Sequence, residues 1–325
     1  MTANRIVVLD GYTINPGDNP WSSLEALGDC TVYDRTPDGM KLERAAEADI
    51  LLISKVKLDE PTLAGLPKLK FISMLATGYN NVDVAAAGKL GIPVSNVPAY
   101  STESVAQTTF ALLLELAMHV GLHDTSVKSG DWCRCPDHSY WKTPLVELDG
   151  MTLGIVGYGT IGRAVARVAA AFGMKIIAYS PRLPVDCGST PVSFVSLEEL
   201  FAKADVISLN CPQTPENGEF VNARLLGMMK STAYLLNLAR GGLVNEADLA
   251  NALKNGKIAG AGLDVVAHEP MMSDNPLLSA PNCIFTPHIA WASLAARRRL
   301  MSIVTANVAA FLAGSPINLV NEKYL

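Results

Sequence analysis

Arg240 in NLARGG, Glu269 in AHEP and His288 in TPHIAW each stand just past an apolar run of strand type. In an open α/β sheet, ligands gather at the carboxyl ends of the strands. A planar guanidinium such as Arg240 suits a carboxylate, which it grips as a fork. An imidazole ionises near working pH, which makes His288 the natural proton donor to a carbonyl oxygen. A carboxylate within hydrogen-bond reach, Glu269, would hold that imidazole in one orientation and favour its protonated form. Together the three have the chemistry to reduce a 2-keto acid, with Arg240 binding substrate, His288 as acid/base and Glu269 tuning it.

Such a reaction also needs a hydride donor, and GYGTIG, Gly157 to Gly162, offers a place for one. The turn follows the apolar run TLGIV and opens IGRAVARVAAAF, the strand–turn–helix context that lifts a G-x-G-x-x-G above chance. Gly157 permits the tight turn, Gly159 lets the backbone approach a pyrophosphate, and Gly162 lets helix and strand pack closely. Amide groups at the helix start and the helix dipole then face the anion. Recognition of NAD expects an acidic residue ending the next strand, about 20 positions on. Here MKIIAYS ends in Ser180, with Arg182 two residues later. Serine does not repel a 2′-phosphate and Arg182 can pair with one. NAD(P)H is the expected cofactor, with NADPH accepted.

Positioning these residues takes two runs of alternating strands and helices. RIVVLD (5–10), DILLIS (49–54), LKFISML (69–75) and IPVSNV (92–97) read as buried strands separated by helical stretches. That is the pattern of a parallel sheet covered on both faces. A long apolar helix over 104–123 follows, then an irregular stretch, 129–150, with Trp132, Tyr140 and Trp141. A stretch of that length is functional or tied down by a partner, and its aromatics favour a dimer contact. The strand pattern restarts at 152 and continues through DVISLN, TAYLLNL, GAGLDV and CIFTP to a final helix over roughly 293–313. The expected fold is α/β, with two doubly wound parallel-sheet domains and a cleft between them. A flavodoxin-like substrate domain takes residues 1–98 and 290–325. A Rossmann cofactor domain takes 99–289, with the dimerisation helix and loop near 104–150.

A chain of 325 residues suits two domains. A net charge of −5 without a basic run argues against nucleic acid as a partner. No uninterrupted apolar stretch reaches membrane-span length, and MTANRIVVLDGY lacks signal-peptide character. The six cysteines, Cys30, Cys133, Cys135, Cys187, Cys211 and Cys283, are scattered as in a reducing compartment, so a cytoplasmic location is expected. Cys133, Cys135 and His138 offer too few ligands for a zinc site. His119 and His123, four apart on one helix, lack a third ligand, and no metal is expected.

Over essentially its whole length the sequence resembles the D-isomer-specific 2-hydroxyacid dehydrogenase family. The matching segments are ATGYNNVDVAAAGKLGIPVSNVP, GIVGYGTIGRAVA, LLNLARGGLVNEADLANAL, GAGLDVVAHEP and TPHIAWAS. The resemblance implies a nicotinamide cofactor, a homodimer and the roles given above for Arg240, Glu269 and His288. Carried over residue by residue, cofactor contacts fall on Thr77, Thr160, Ile161, Ser180, Cys211, Leu238, Ala239, Asp264 and the His288–Trp291 stretch, which includes Ala290. Asp264 is expected to meet the nicotinamide carboxamide. Ala76, Thr77 and Gly78 are expected to hold the substrate carboxylate through their backbone. Lys55, on a neighbouring loop, either adds charge there or is simply solvated. Ser180 is the departure from the family's NAD pattern.

Within the family, SNVPAYSTESVAQTTFALLLEL and the pairing of HSYWKTPLVELDG with HIAWAS look most like glycerate dehydrogenases, also called hydroxypyruvate reductases. Trp291 would stand beside the nicotinamide, and Trp141, of the same subunit or of the partner, could cap a small polar substrate. The expected reaction is hydroxypyruvate to D-glycerate, with glyoxylate to glycolate as a side reaction. A 3-phosphoglycerate dehydrogenase, another D-2-hydroxyacid dehydrogenase, and a dinucleotide-sensing corepressor-like protein are the alternatives.

Overall fold

The computed structural model describes residues 4–182 and 188–325. The chain divides into two units, Met1–Ser101 with Ala292–Leu325, and Thr102–Trp291. In each unit every strand pairing is parallel.

The first unit holds β1 (Arg5–Val8), β2 (Asp29–Val32), β3 (Ile50–Ile53), β4 (Phe71–Met74) and β5 (Val94–Ser95), in the order β2-β1-β3-β4-β5. That is the flavodoxin-like order. ILLI in β3 and FISM in β4 are buried at every position, as central parallel strands covered by helices must be. β2 stands at the edge and alternates exposed with half-buried residues. The helix Leu294–Leu312 belongs to this unit. Its Phe311 stacks on Phe71 with ring centroids 4.5 Å apart. Its buried Arg297 binds the Asp18 carboxylate through two nitrogens and also donates to Ile14 O.

The second unit holds β6 (Thr152–Val156), β7 (Lys175–Tyr179), β8 (Ser193–Phe194), β9 (Val206–Leu209), β10 (Tyr234–Asn237), β11 (Gly260–Leu263) and β12 (Cys283–Phe285). Their order is β12-β11-β10-β9-β6-β7-β8. Counted from β6, this is the Rossmann order with one further strand, and the strand order reverses between β6 and β9. The glycines of β11 have a packing role. A Cβ on Gly260 would lie 3.0 Å from Leu116 Cδ2, and one on Gly262 3.0 Å from Leu112 Cβ. Their absence lets the helix Thr102–Met118 lie close against the sheet.

The single helix expected over 104–123 is two helices. Thr102–Met118 and Val120–Lys128 are bent by 57° at His119, which adopts the left-handed conformation with φ 48°. Glu115 makes the break possible. Its carbonyl accepts from His119 N in the last regular helical bond, and its carboxylate accepts from Gly121 N, capping an amide that the bend exposes. Among the described residues no single helix is long and apolar enough to cross a membrane. This bent pair has the length and composition together, yet one whole face of its first helix lies in the core of the second unit.

Candidate active site

At the reversal between β6 and β9, Gly157 takes φ 95°, a conformation that favours glycine. A Cβ there would lie 2.7 Å from Cys211 N and 2.8 Å from Asn210 C, in the segment that follows β9. A Cβ on Gly162 would collide with Gly157 O. Gly159 is different, with no atom within 4 Å of where its Cβ would be. It is also the N-cap of Thr160–Ala171, and no side chain caps that helix. Open space over a helix start with amides to offer is the cradle a pyrophosphate requires, so the residues present fit a dinucleotide. Ser180 follows β7 and is half-buried, and Arg182 is exposed. Residues 183–187, with Cys187, lie outside the described residues.

The register Asn237↔Leu263↔Phe285 aligns the carboxyl ends of β10, β11 and β12. Arg240 comes three residues after the first of these and His288 three after the last, so β10 and β12, on either side of β11, deliver both to the carboxyl end of the sheet. Buried side chains then fix the turns. Asn237 donates its amide to Arg240 O at 2.9 Å and accepts from Ala239 N, while its own carbonyl takes Asp264 N–H. Gly241 lies against the Val266 backbone so closely that a Cβ would overlap it. This presses the Arg240 turn onto the segment leading to Glu269. Glu246 holds the same segment from the other side, accepting from Ala267 N and Asn275 Nδ2, each at 2.8 Å.

His288 has φ 54°, a left-handed backbone uncommon outside glycine. Asp264 holds it there. The Asp264 carbonyl accepts His288 N–H at 2.8 Å, and its carboxylate accepts Ile289 N, Ala290 N and the Thr286 hydroxyl. The buried carboxylate expected to meet a carboxamide thus has three partners in its own unit. The imidazole Nδ1 lies 2.6 Å from Glu269 Oε2, with the two side chains 28% and 34% exposed. Nδ1 is therefore engaged and Nε2 is the ring atom left for other chemistry. Trp291 Nε1 donates to His288 O at 2.8 Å, fixing the indole beside the same turn. Arg240 is exposed and spends one nitrogen on Ala239 O, which leaves the rest of its fork for a ligand.

Arg240, Glu269, His288, the glycine turn, Ser180, Cys211, Leu238, Ala239, Asp264, Ala290, Trp141 and Trp291 all lie in the second unit. Leu238 and Ala290 are buried, and Trp141 is 69% exposed and joins none of the hydrogen bonds around His288. Lys55, Ala76, Thr77 and Gly78 lie in the first unit. There Asp10 accepts the amides of Ser54, Lys55 and Val56 and locks the turn after β3. Thr77 donates its hydroxyl to Val97 O, and Asn96 donates to Thr77 O, so the turn after β4 is laced to the one after β5.

Asn237, Glu246 and Thr286 were not singled out from sequence. An asparagine ending a strand before ARGG is the one local signal that could have pointed to the first. Burial pushes the Cys30 and Cys211 thiols up to about 11 and Cys283 up to about 12. Among the described residues no group of three or more His, Cys, Asp or Glu is placed to hold a metal.

The family model described as "D-isomer specific 2-hydroxyacid dehydrogenase, NAD binding domain" matches residues 110–290. The chain belongs to that family, and its cofactor is a nicotinamide dinucleotide. It is 48% identical to a hydroxypyruvate reductase of Blautia hydrogenotrophica over 98% of this chain and 100% of that one. It is 42% identical to a glycerate dehydrogenase of Methylorubrum extorquens, over 88% of this chain and 89% of the relative. Among solved structures it resembles an NADPH-dependent glyoxylate/hydroxypyruvate reductase of Sinorhizobium meliloti, in complex with NADP and malonate. There the TM-score is 0.84 at 30% identity, covering 99% of this chain and 98% of the other.

Proposed function

We propose that the protein reduces hydroxypyruvate to D-glycerate with NAD(P)H, and glyoxylate to glycolate as a side reaction. The observation that carries this reading is the His288–Glu269 contact at 2.6 Å on a backbone held in the left-handed region. Backbone strain of this kind persists only where the surroundings over-determine it, and it gathers at active sites. The names of the two relatives, hydroxypyruvate reductase and glycerate dehydrogenase, support the choice of substrate.

When bound, the reduced nicotinamide supplies the hydride to the keto carbon. Arg240 grips the substrate carboxylate, and a fork fixes the plane of the acid as a point charge does not. Because Glu269 engages Nδ1, His288 delivers its proton from Nε2 to the carbonyl oxygen. Glu269 keeps the ring from turning as that proton leaves. The C2 carbon gains the hydride, its oxygen gains the proton, and the product is the alcohol. Lys55, Ala76, Thr77 and Gly78 are assigned to substrate, with Trp141 and Trp291, on the family resemblance. Thr77, Thr160, Ile161, Ser180, Cys211, Leu238, Ala239, Asp264 and Ala290 are assigned to the cofactor on the same basis, and Arg182 on its charge, which suits a 2′-phosphate.

Ser180 in place of an acid, with Arg182 near it, supports use of NADPH. Exposed Met118, Val120, Leu122, Trp132, Trp141 and Leu145 are gathered in one stretch of the second unit, which supports a homodimer through that stretch. The five described cysteines are free thiols, in keeping with a cytoplasmic enzyme. One panel tests the reading: hydroxypyruvate, glyoxylate, pyruvate and 3-phosphohydroxypyruvate, each with NADH and NADPH. Highest kcat/KM on hydroxypyruvate is expected. Tight dinucleotide binding without turnover of any 2-keto acid would sink it in favour of a sensor, and a thousandfold preference for NADH would remove the use of NADPH. Light scattering tests the dimer.

A further inference from the structure

Trp141 is 69% exposed, yet the residues on either side of it are anchored. The Tyr140 hydroxyl lies 2.9 Å from Ser126 Oγ. Lys142 places Nζ on Asp131 at 2.7 Å and its backbone amide on His123 Nε2 at 3.1 Å. Ser126 donates to the same Asp131 carboxylate, Trp132 Nε1 donates to His138 O, and Val146 N–H donates to Ala117 O. An exposed indole on a backbone held this firmly is aimed outward rather than left loose.

The member of this set whose two hydrogen bonds require a single protonation state is His123. Its Nδ1 lies 2.8 Å from His119 O, the carbonyl of the left-handed residue at the helix break. A carbonyl only accepts, so Nδ1 must carry the proton. An amide only donates, so Nε2 must carry the lone pair. Both bonds exist together only in the neutral Nδ1–H tautomer. A second ring proton would set N–H against N–H and break the bond to Lys142. The other titratable or charged groups nearby are Glu115 and His119 at the break, Asp124 on the same helix, Asp131 and Arg134 on Asp131–Arg134, and His138, Tyr140 and Lys142 on the loop. Glu115 is engaged by Gly121 N, Asp124 by Lys128, and Asp131 by Lys142 and Arg134.

We propose that His123 is a positioning residue: as the neutral Nδ1–H tautomer it fixes the backbone at Lys142 and aims Trp141, and uptake of a second ring proton releases it. This rests on the reading of Trp141 as a substrate contact. The enzyme then has an acid limit separate from catalysis, felt in KM for the keto acid, besides the alkaline limit set by His288 in kcat.

The test compares the full-length enzyme with His123→Gln, His123→Ala and Trp141→Ala. Glutamine offers an acceptor in the place of Nε2 and does not titrate. In the unaltered enzyme, KM for hydroxypyruvate should rise about fivefold on acidification, the order one net hydrogen bond supplies. It should stay flat in His123→Gln and be raised at every pH in His123→Ala, with the alkaline limb of kcat the same in all three. Hydrogen exchange of the 138–146 peptide, corrected for its intrinsic pH dependence, should follow the same pattern whether or not hydroxypyruvate is the substrate. An acid-side rise in KM that survives His123→Gln, or unchanged exchange in His123→Ala, overturns the proposal. An unchanged KM in Trp141→Ala overturns its link to substrate, and the exchange pattern then decides the latch by itself.

Discussion

Asp264 builds the platform for His288: its carbonyl accepts the His288 amide at 2.8 Å, and its carboxylate holds the next two amides, at Ile289 and Ala290. One buried residue thus sets the backbone from which the imidazole projects. Asp264→Asn would leave the side-chain nitrogen facing a donor, because the carboxylate accepts from Thr286, Ile289 and Ala290. An unsatisfied buried donor costs about 1–3 kcal/mol. We expect kcat/KM for hydroxypyruvate to fall about tenfold or more, together with a lower melting temperature. Unchanged steady-state kinetics would remove Asp264 from this role.

Glu269→Gln separates orientation from charge. Glutamine keeps an acceptor near Nδ1 but loses the negative charge 2.6 Å from it. Reduction needs the protonated ring, so its rate falls as pH rises and the ring loses that proton. Without the charge, this alkaline limb should move to lower pH. The pH profile of kcat/KM checks it, and a limb that stays in place would take Glu269 out of the proton chemistry.

Arg240→Lys keeps the charge and loses the fork. The loss of a charge-assisted bond should raise KM for the keto acid about 10- to 100-fold. Dinucleotide affinity, measured by fluorescence titration, should not change. A parallel loss of both would mean that the turn after β10 had been disturbed as a whole.

Asp131 ties the loop at 138–146 to the helices beside it. Hydrogen bonds from Lys142 and Ser126 lower its carboxyl to about 2. A depressed carboxylate stabilises the fold fully above its unfolded value of about 3.9, and that contribution is lost as pH falls through about 2. Asp131→Asn should therefore be less stable than the unaltered protein at neutral pH, with the difference closing between pH 4 and pH 2. Acid unfolding of the two proteins followed side by side reads this directly, and a gap independent of pH would show that charge is not what holds the loop.

Much of the architecture could be read from local patterns. Runs such as ILLI and YLLN, buried at every position, announce central parallel strands because both of their faces are covered. The edge strands β2 and β8 escaped, since DCTV and SF are short and have no such apolar run. The break at His119 escaped as well, because the apolar pattern runs straight through it. At the break the Glu115 carboxylate accepts Gly121 N–H, a side-chain cap that hydrophobic periodicity does not register.

The sequence by itself determined the class of fold, the glycine turn and the residue types able to do the chemistry, since strand runs, glycines and short motifs act over a few neighbours. Only the tertiary structure decided how those residues are held. The αL backbone of His288, the filling of Asp264 by three donors and the Nδ1–H tautomer of His123 depend on hydrogen bonds from the His288 and Ala290 amides to Asp264, the second of them 26 residues away, and from Lys142 to His123, 19 away. Such bonds come from strand register and helix packing. No window of neighbouring residues contains both partners.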